Sequence, residues 1–392
     1  MAWALLALGC TSAAPAPQGP AHYPPPAHEV RGSSAQVELG RRLFYDRRLS
    51  VDNNRSCGLC HEQAKAFTDG FVRSVGTEGD VHPHNAPSLV NVAWRPTLGW
   101  SNPEATSLLD HALGPLFAHD PIVEMGLEED ALLARLEAPP SYQGAFALAF
   151  PGAPEPSIEH VLVALAAFQA TLVGGGAPID QVALGHPLEA AAARGLALFE
   201  SDRLGCRSCH GGPLFDRPLD DDGVPSEAPG YACTGLYNLD GAYPDHSRDL
   251  SWYTGDPADR GKVRTPSLHN VTRTGPWGHD GSYQSLDDVL DAYARGGRLV
   301  QSGPNASDGA LHPNLDPRIQ PFDLSDGERA DLHAFFEALA DPTLATREEL
   351  ADPFCRDEAT DPPDCLPSYP LVAGEADPPA RRHRHVDPVR QP

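Results

Sequence analysis

The chain has 392 residues, a length that predicts two or three modest domains. Its 54 Asp and Glu against 29 Lys and Arg give a formal charge of −25, which argues against nucleic acid as a partner. Hydrophobic residues make up 41%, enough for a buried core, while 41 prolines and 36 glycines predict many loops and short helices.

Residues 1–14 read as the end of an export signal, with an apolar run too short to span a bilayer. Ala7-Leu8-Gly9-Cys10 matches a lipoprotein cleavage box, so Cys10 is a candidate lipid anchor. Residues 15–33, rich in Pro, Ala and His, predict a flexible tether. Gly40-Arg41-Arg42-Leu43-Phe44 then precedes Cys57-Gly58-Leu59-Cys60-His61, and Phe67-Thr68-Asp69 follows. The same order recurs as Arg194-Gly195-Leu196-Ala197-Leu198-Phe199, Cys206-Arg207-Ser208-Cys209-His210 and Phe215-Asp216. This internal duplication predicts two units, 34–180 and 181–345. Ser157 caps an apolar, buried helix over 158–173, and an Ala/Leu-rich helix covers 188–200. Ser285-Leu286-Asp287-Asp288 opens a helix that Gly296-Gly297 stops, and Ser325 with Glu328 opens another to about Ala340. Residues 346–392 predict a Pro/Asp-rich tail, disordered from 370, in which Cys355 and Cys365 are placed for a disulfide. Cys233 predicts a small buried apolar residue.

Both cysteine motifs read Cys-x-x-Cys-His. Two thiols at that spacing reach the two vinyl groups on one edge of a porphyrin, and the next histidine comes under the iron. The expected cofactors are two covalently bound haems c. One is on Cys57, Cys60 and His61, the other on Cys206, Cys209 and His210. A CxxC pair also suits zinc, but a histidine following immediately both times favours haem. Attachment of c-type haem takes place outside the cytoplasm in bacteria, so a periplasmic or otherwise exported protein is expected. The fold class follows as mainly α, with two cytochrome-c-like haem domains and extensive irregular loops. Two haems alone suit an electron carrier as well as an enzyme.

Val263-Arg264-Thr265-Pro266-Ser267-Leu268-His269-Asn270, continuing through Thr274-Gly275-Pro276-Trp277-Gly278-His279-Asp280-Gly281, resembles a signature of the bacterial di-haem cytochrome c peroxidase superfamily. The likeness extends over about residues 35–345. It implies that hydrogen peroxide reacts at the first haem. Gly114-Pro115-Leu116-Phe117 followed by Glu124-Met125-Gly126 makes Glu124 the implied acid/base group, with His111 standing where the family has glutamine. The resemblance further implies Trp100 as the carrier of an electron or hole between the haems. It implies a calcium ion on Asn85 and the carbonyls of Thr274 and Pro276. His82 and His84 read as solvent-exposed loop histidines rather than ligands.

Fourteen residues after His279, where the family's peroxidases place a methionine ligand of the second haem, this chain has Tyr293. Its methionines are Met1 and Met125. Leu286, Val289, Leu290 and Tyr293 fall on one helix face, turning Tyr293 inward. Tyrosine at this position resembles the MauG branch, and a phenolate favours ferric and higher-valent iron. Trp100-Ser101-Asn102-Pro103-Glu104 and Thr234-Gly235-Leu236-Tyr237-Asn238 further resemble the MbnH group. That resemblance implies a peroxide-made high-valent di-haem state. It also implies oxidation of a tryptophan on a small exported partner protein docked near the second haem. Two rivals stand beside it. One is a peroxidase fed by a small cytochrome or copper protein; the other is a di-haem electron carrier.

Overall fold

The computed structural model describes residues 20, 22–28, 30–220, 222–226, 230–239, 243–244 and 248–354. Cys10, Cys355 and Cys365 lie outside them. Helices dominate, and among the described residues the strands form two short antiparallel ribbons. Tyr231–Ala232 pairs with Val263–Arg264, and Leu299–Val300 with Ser307–Asp308. No helix among the described residues is long and apolar enough to cross a membrane.

Two helix pairs carry the architecture. Ser34–Tyr45 crosses Ile158–Gln169, and Ala190–Phe199 crosses Asp326–Ala338. Each crossing depends on a glycine. A Cβ on Gly40 would stand 1.9 Å from the Ala164 carbonyl oxygen, and one on Gly195 would stand 1.9 Å from that of Asp331. No side chain fits there, so the backbones approach to van der Waals contact. Below each crossing an aromatic pair seals the core, Phe44 against Phe168 at 5.2 Å and Phe199 against Phe335 at 5.1 Å.

The duplication runs further than the two cysteine motifs. Pro87-Ser88-Leu89-Val90-Asn91-Val92 repeats as Pro266-Ser267-Leu268-His269-Asn270-Val271. Asn91 and Asn270 both take left-handed backbone, φ 58° and 63°. Asn91 N–H donates to the Leu172 carbonyl at 2.7 Å, and Asn270 N–H to that of Leu339 at 2.9 Å. Their side-chain oxygens accept from Gly174 and Asp341, both at 2.9 Å. Each asparagine thus ties its loop to the end of the helix that closes its half. The helix expected over 158–173 stops at Gln169, where the Thr171 and Leu172 N–H groups turn to the Phe168 and Gln169 carbonyls three residues back and the Thr171 hydroxyl also takes that of Phe168 at 2.6 Å. The Leu286–Arg295 helix starts at the Ser285 capping box and stops at Gly296, φ 81°, as its sequence predicts.

Two segments depart from expectation. Residues 22–28, within the expected tether, are packed down: the buried Tyr23 hydroxyl reaches the Gly174 carbonyl and Asp180 Oδ1, both at 3.1 Å. The Trp94 indole donates to the Pro24 carbonyl at 2.8 Å. Residues just beyond 345, within the expected tail, are packed down as well, against the first half. Leu350 is buried, the Tyr45 hydroxyl donates to its carbonyl at 2.8 Å, and Arg41 donates to that of Ala351 at 2.8 Å. The polar composition of these stretches hid a few apolar anchors, and burying one large side chain outweighs the surrounding prolines.

Candidate functional site

The first Cys-x-x-Cys-His motif forms one helical turn, Cys57–Cys60, capped by His61. His61 Nδ1 lies 2.9 Å from the Phe67 carbonyl, which a left-handed Phe67 (φ 59°) turns toward it. With Nδ1–H donating there, Nε2 is the ring nitrogen presented to the cavity. Burial pushes His61 down to about 4, so the imidazole is neutral and able to bind a cation. The Cys57 and Cys60 thiols are free and pushed up to about 12 by burial.

Glu124 and His111 line the same cavity as His61, Cys57 and Cys60. Three backbone bonds fix the Glu124 segment: Thr77 N–H to Val123 O at 2.9 Å, Met125 N–H to Pro115 O at 3.1 Å, and Val51 N–H to Met125 O at 2.8 Å. The second of these ties the glutamate to the Gly-Pro pair upstream. Glu124 is surrounded by protein, yet its carboxylate opens onto the cavity interior. Burial raises it to about 7. His82 Nε2 stands 3.7 Å from Glu124 Oε1, and His82 Nδ1 lies 3.0 Å from the His84 N–H and 3.1 Å from the His84 carbonyl, which hold the ring beside the carboxylate. His111, at the end of the Leu108–His111 turn, is pushed down to about 4 by burial.

The second motif repeats the arrangement. His210 Nδ1 is 3.0 Å from the Phe215 carbonyl, and Phe215 is left-handed at φ 53°. Leu286, Val289, Leu290 and Tyr293 line one cavity together with Cys206, Cys209 and His210. Burial, with the Cys209 and Cys206 thiols alongside, holds the Tyr293 phenol well above its ordinary range. Asn85, Thr274 and Pro276 line this cavity as well. Asn85 Nδ2 donates to the Phe71 carbonyl at 2.8 Å, which leaves the amide oxygen as the end suited to a cation.

Trp100 and Asn85 line both cavities. The Trp100 indole N–H donates to the Asn85 carbonyl at 2.8 Å. From the other half, Arg264 N–H donates to the Trp100 carbonyl at 2.7 Å, and Asn85 N–H donates to that of His279 at 2.8 Å. The seam between the cavities is therefore laced by the signature segment itself.

The residues present fit two covalently held haems. Each cavity brings together two free thiols and an imidazole already oriented by its other nitrogen. The second also holds two buried guanidiniums, Arg95 and Arg264, whose hydrogen-bond partners are backbone carbonyls. Arg95 Nε has no partner, and Asp216 is the carboxylate against both. Buried cations without enough anions are costly, and the propionates of a bound haem would supply them. These arginines escaped the sequence reading, although Arg264 stands inside the quoted signature. His84 is a correction: it is 8% exposed, not a surface residue, and its ring lies 5.8 Å from that of His279. Its loop is pinned between the two halves, which composition does not reveal.

Comparison with known proteins agrees with this geometry. The family described as di-haem cytochrome c peroxidase matches residues 34–187. The chain is 36% identical over 331 residues to the methylamine utilization protein MauG of Methylorubrum extorquens, covering 80% of this chain and 81% of that one. It is 33% identical over 392 residues to cytochrome-c peroxidase IdrP1 of Denitromonas iodatirespirans, covering 93% and 96%. The crystal structure of a MauG-like protein associated with microbial copper homeostasis superposes with TM-score 0.79 at 39% identity, over 85% of this chain and 98% of that one. The chain therefore belongs to the di-haem cytochrome c peroxidase family, within the MauG superfamily of peroxidase-type haem oxidoreductases.

Proposed function

We propose that this protein is a MauG-like enzyme of the MbnH kind, which uses hydrogen peroxide to oxidise a side chain, a tryptophan, of an exported partner protein. The observation that carries the reading is Tyr293, which lines the second cavity with His210, whereas Met125 lines the first. The two halves, from 34 to 180 and from 181 to 345, act as two cytochrome-c-like domains. When bound, the haems would supply the two-electron redox chemistry of the reaction with peroxide.

The chain's own residues do the rest. His61 and His210 present Nε2 because Nδ1 is held by a carbonyl. Glu124, raised to about 7, takes a proton from peroxide and returns it to the departing oxygen. His111 supports the peroxide pocket from its wall. Trp100, common to both cavities, carries charge between them. The Tyr293 phenol keeps its proton until a cation stands opposite, and its phenolate is then a hard, anionic donor. Asn85 with the Thr274 and Pro276 carbonyls holds a calcium ion at the seam. Haem attachment requires export, so the protein acts in the periplasm or is otherwise exported, with Cys10 as a candidate lipid anchor.

A peroxidase fed by a small cytochrome is the second reading, favoured by the similarity to IdrP1 along nearly the whole chain. Rapid mixing of the diferric protein with peroxide, followed by optical and freeze-quench Mössbauer spectroscopy, separates the two. Reaction without prior reduction, with both equivalents retained, is the expected result. Reaction only after one haem is pre-reduced would leave the electron-fed peroxidase, and none in either state would leave a carrier.

A further inference from the structure

Among the described residues, Trp252 is the one exposed tryptophan, at 60%, and Tyr253 the one exposed tyrosine, at 42%. They are neighbours in the short Leu250–Thr254 helix. Leaving an indole in water forgoes burial that a folded chain ordinarily takes. The place is not arbitrary, because Tyr253 and Arg248 line the first cavity, where Glu124 stands. Ser101, next to Trp100, donates its hydroxyl to the Arg248 carbonyl and so fastens this segment to the seam. The Arg248 guanidinium lies 4.6 Å over the Trp252 ring and donates to Asp120 Oδ1 at 2.7 Å. Tyr253 thus reaches the cavity while its chain neighbour Trp252 reaches solvent, and Arg248 touches both the cavity and the indole.

We infer that Trp252 and Tyr253 form a one-electron port of the first cavity, on which a protein donor docks. The inference rests on the peroxide reading of that cavity. A small reductant can enter the cavity itself, whereas a folded partner needs an aromatic at the surface. A tryptophan flanked by an arginine and a charged rim is the composition of a protein contact. In each transfer the partner gives one electron to Trp252, and Trp252 gives one across Tyr253 into the cavity. Two transfers with two protons convert one peroxide into two waters, and both rings end unchanged. Arg248 over the indole stabilises the electron-rich neutral ring. An oxidised Trp252 is therefore readily refilled and does not trap the charge. The exchange lies on the side of the first cavity, not near the second haem as the family resemblance implies.

The test uses diferric holoprotein and peroxide with no reductant, followed by peptide mapping by mass spectrometry. Oxygen should be added at Trp252 or Tyr253, and not when cyanide blocks peroxide consumption. Trp252→Phe should consume peroxide in a single turnover at the wild-type rate. It should oxidise a reduced cytochrome c at least tenfold more slowly, with ferrocyanide oxidation unchanged. Equal slowing with both donors overturns the assignment of a protein partner. Peroxide consumed with both residues unmodified and both donors at wild-type rates overturns the port and leaves the proposed function standing. No reaction of the diferric protein with peroxide overturns both.

Discussion

The Trp100 indole N–H donates to the Asn85 carbonyl at 2.8 Å, and that bond orients the one aromatic ring that, among the described residues, lines both cavities. Trp100→Phe removes the bond, at a stability loss of about 1 kcal/mol. Peroxide should still be consumed at the first cavity, while exchange of charge with the second slows by about tenfold or more. Single-turnover spectra that resolve the two haems would measure this, and unchanged exchange would remove Trp100 from the path.

Tyr293→Met returns the ligand that electron-fed members of the family use. The variant should show a higher midpoint potential at the second haem and a diferric form slow toward peroxide, with reactivity restored by pre-reduction. Spectroelectrochemistry and stopped-flow mixing read both. A wild-type potential would mean that Tyr293 does not reach the iron.

Glu124 is raised to about 7 by burial, so its base form grows in through neutral pH. The rate of reaction with peroxide should rise with pH through about 7, and Glu124→Gln should lose that limb together with about 100-fold in rate. Stability should move the other way. A carboxyl whose folded value lies above its unfolded one favours folding while protonated, and this advantage fades as pH climbs from its ordinary value toward 7. Thermal melts at pH 5 and pH 8 should therefore differ less for the glutamine variant.

Gly195→Ala places a methyl 1.9 Å from the Asp331 carbonyl oxygen and should cost about 2–3 kcal/mol by forcing the helices apart. Gly144, in the Pro140–Ala149 helix, has nothing within 4 Å of such a methyl. Alanine there should stabilise by about 0.5–1 kcal/mol. Chemical denaturation of the two variants side by side checks the pair, and similar effects would argue against the close crossing.

Removal of calcium by a chelator should alter the spectra of both haems and slow their exchange of charge, with recovery on adding the ion back. The three residues implied as its ligands lie on the cavity that Trp100 shares. Unaltered spectra with calcium shown absent by elemental analysis would remove the ion from the site.

Much of this protein was written in its chain because the chemistry is local. A Cys-x-x-Cys-His run forms one turn whatever surrounds it, and the Ser285 and Ser325 capping boxes fix two helix starts through bonds three residues long. The 3.6-residue period alone turned Tyr293 toward the face shared by Leu286, Val289 and Leu290. Burial and cross-chain pairing were not legible, because they join residues far apart. Tyr23 is held by Gly174 and Asp180, and Leu350 by Tyr45. His84 is buried by a segment almost two hundred positions away. Only the tertiary structure gave Trp100 two cavities, set Arg95 beside Arg264, and left Trp252 in water. Such placements depend on which surfaces exclude solvent when both halves close, and no local pattern encodes that.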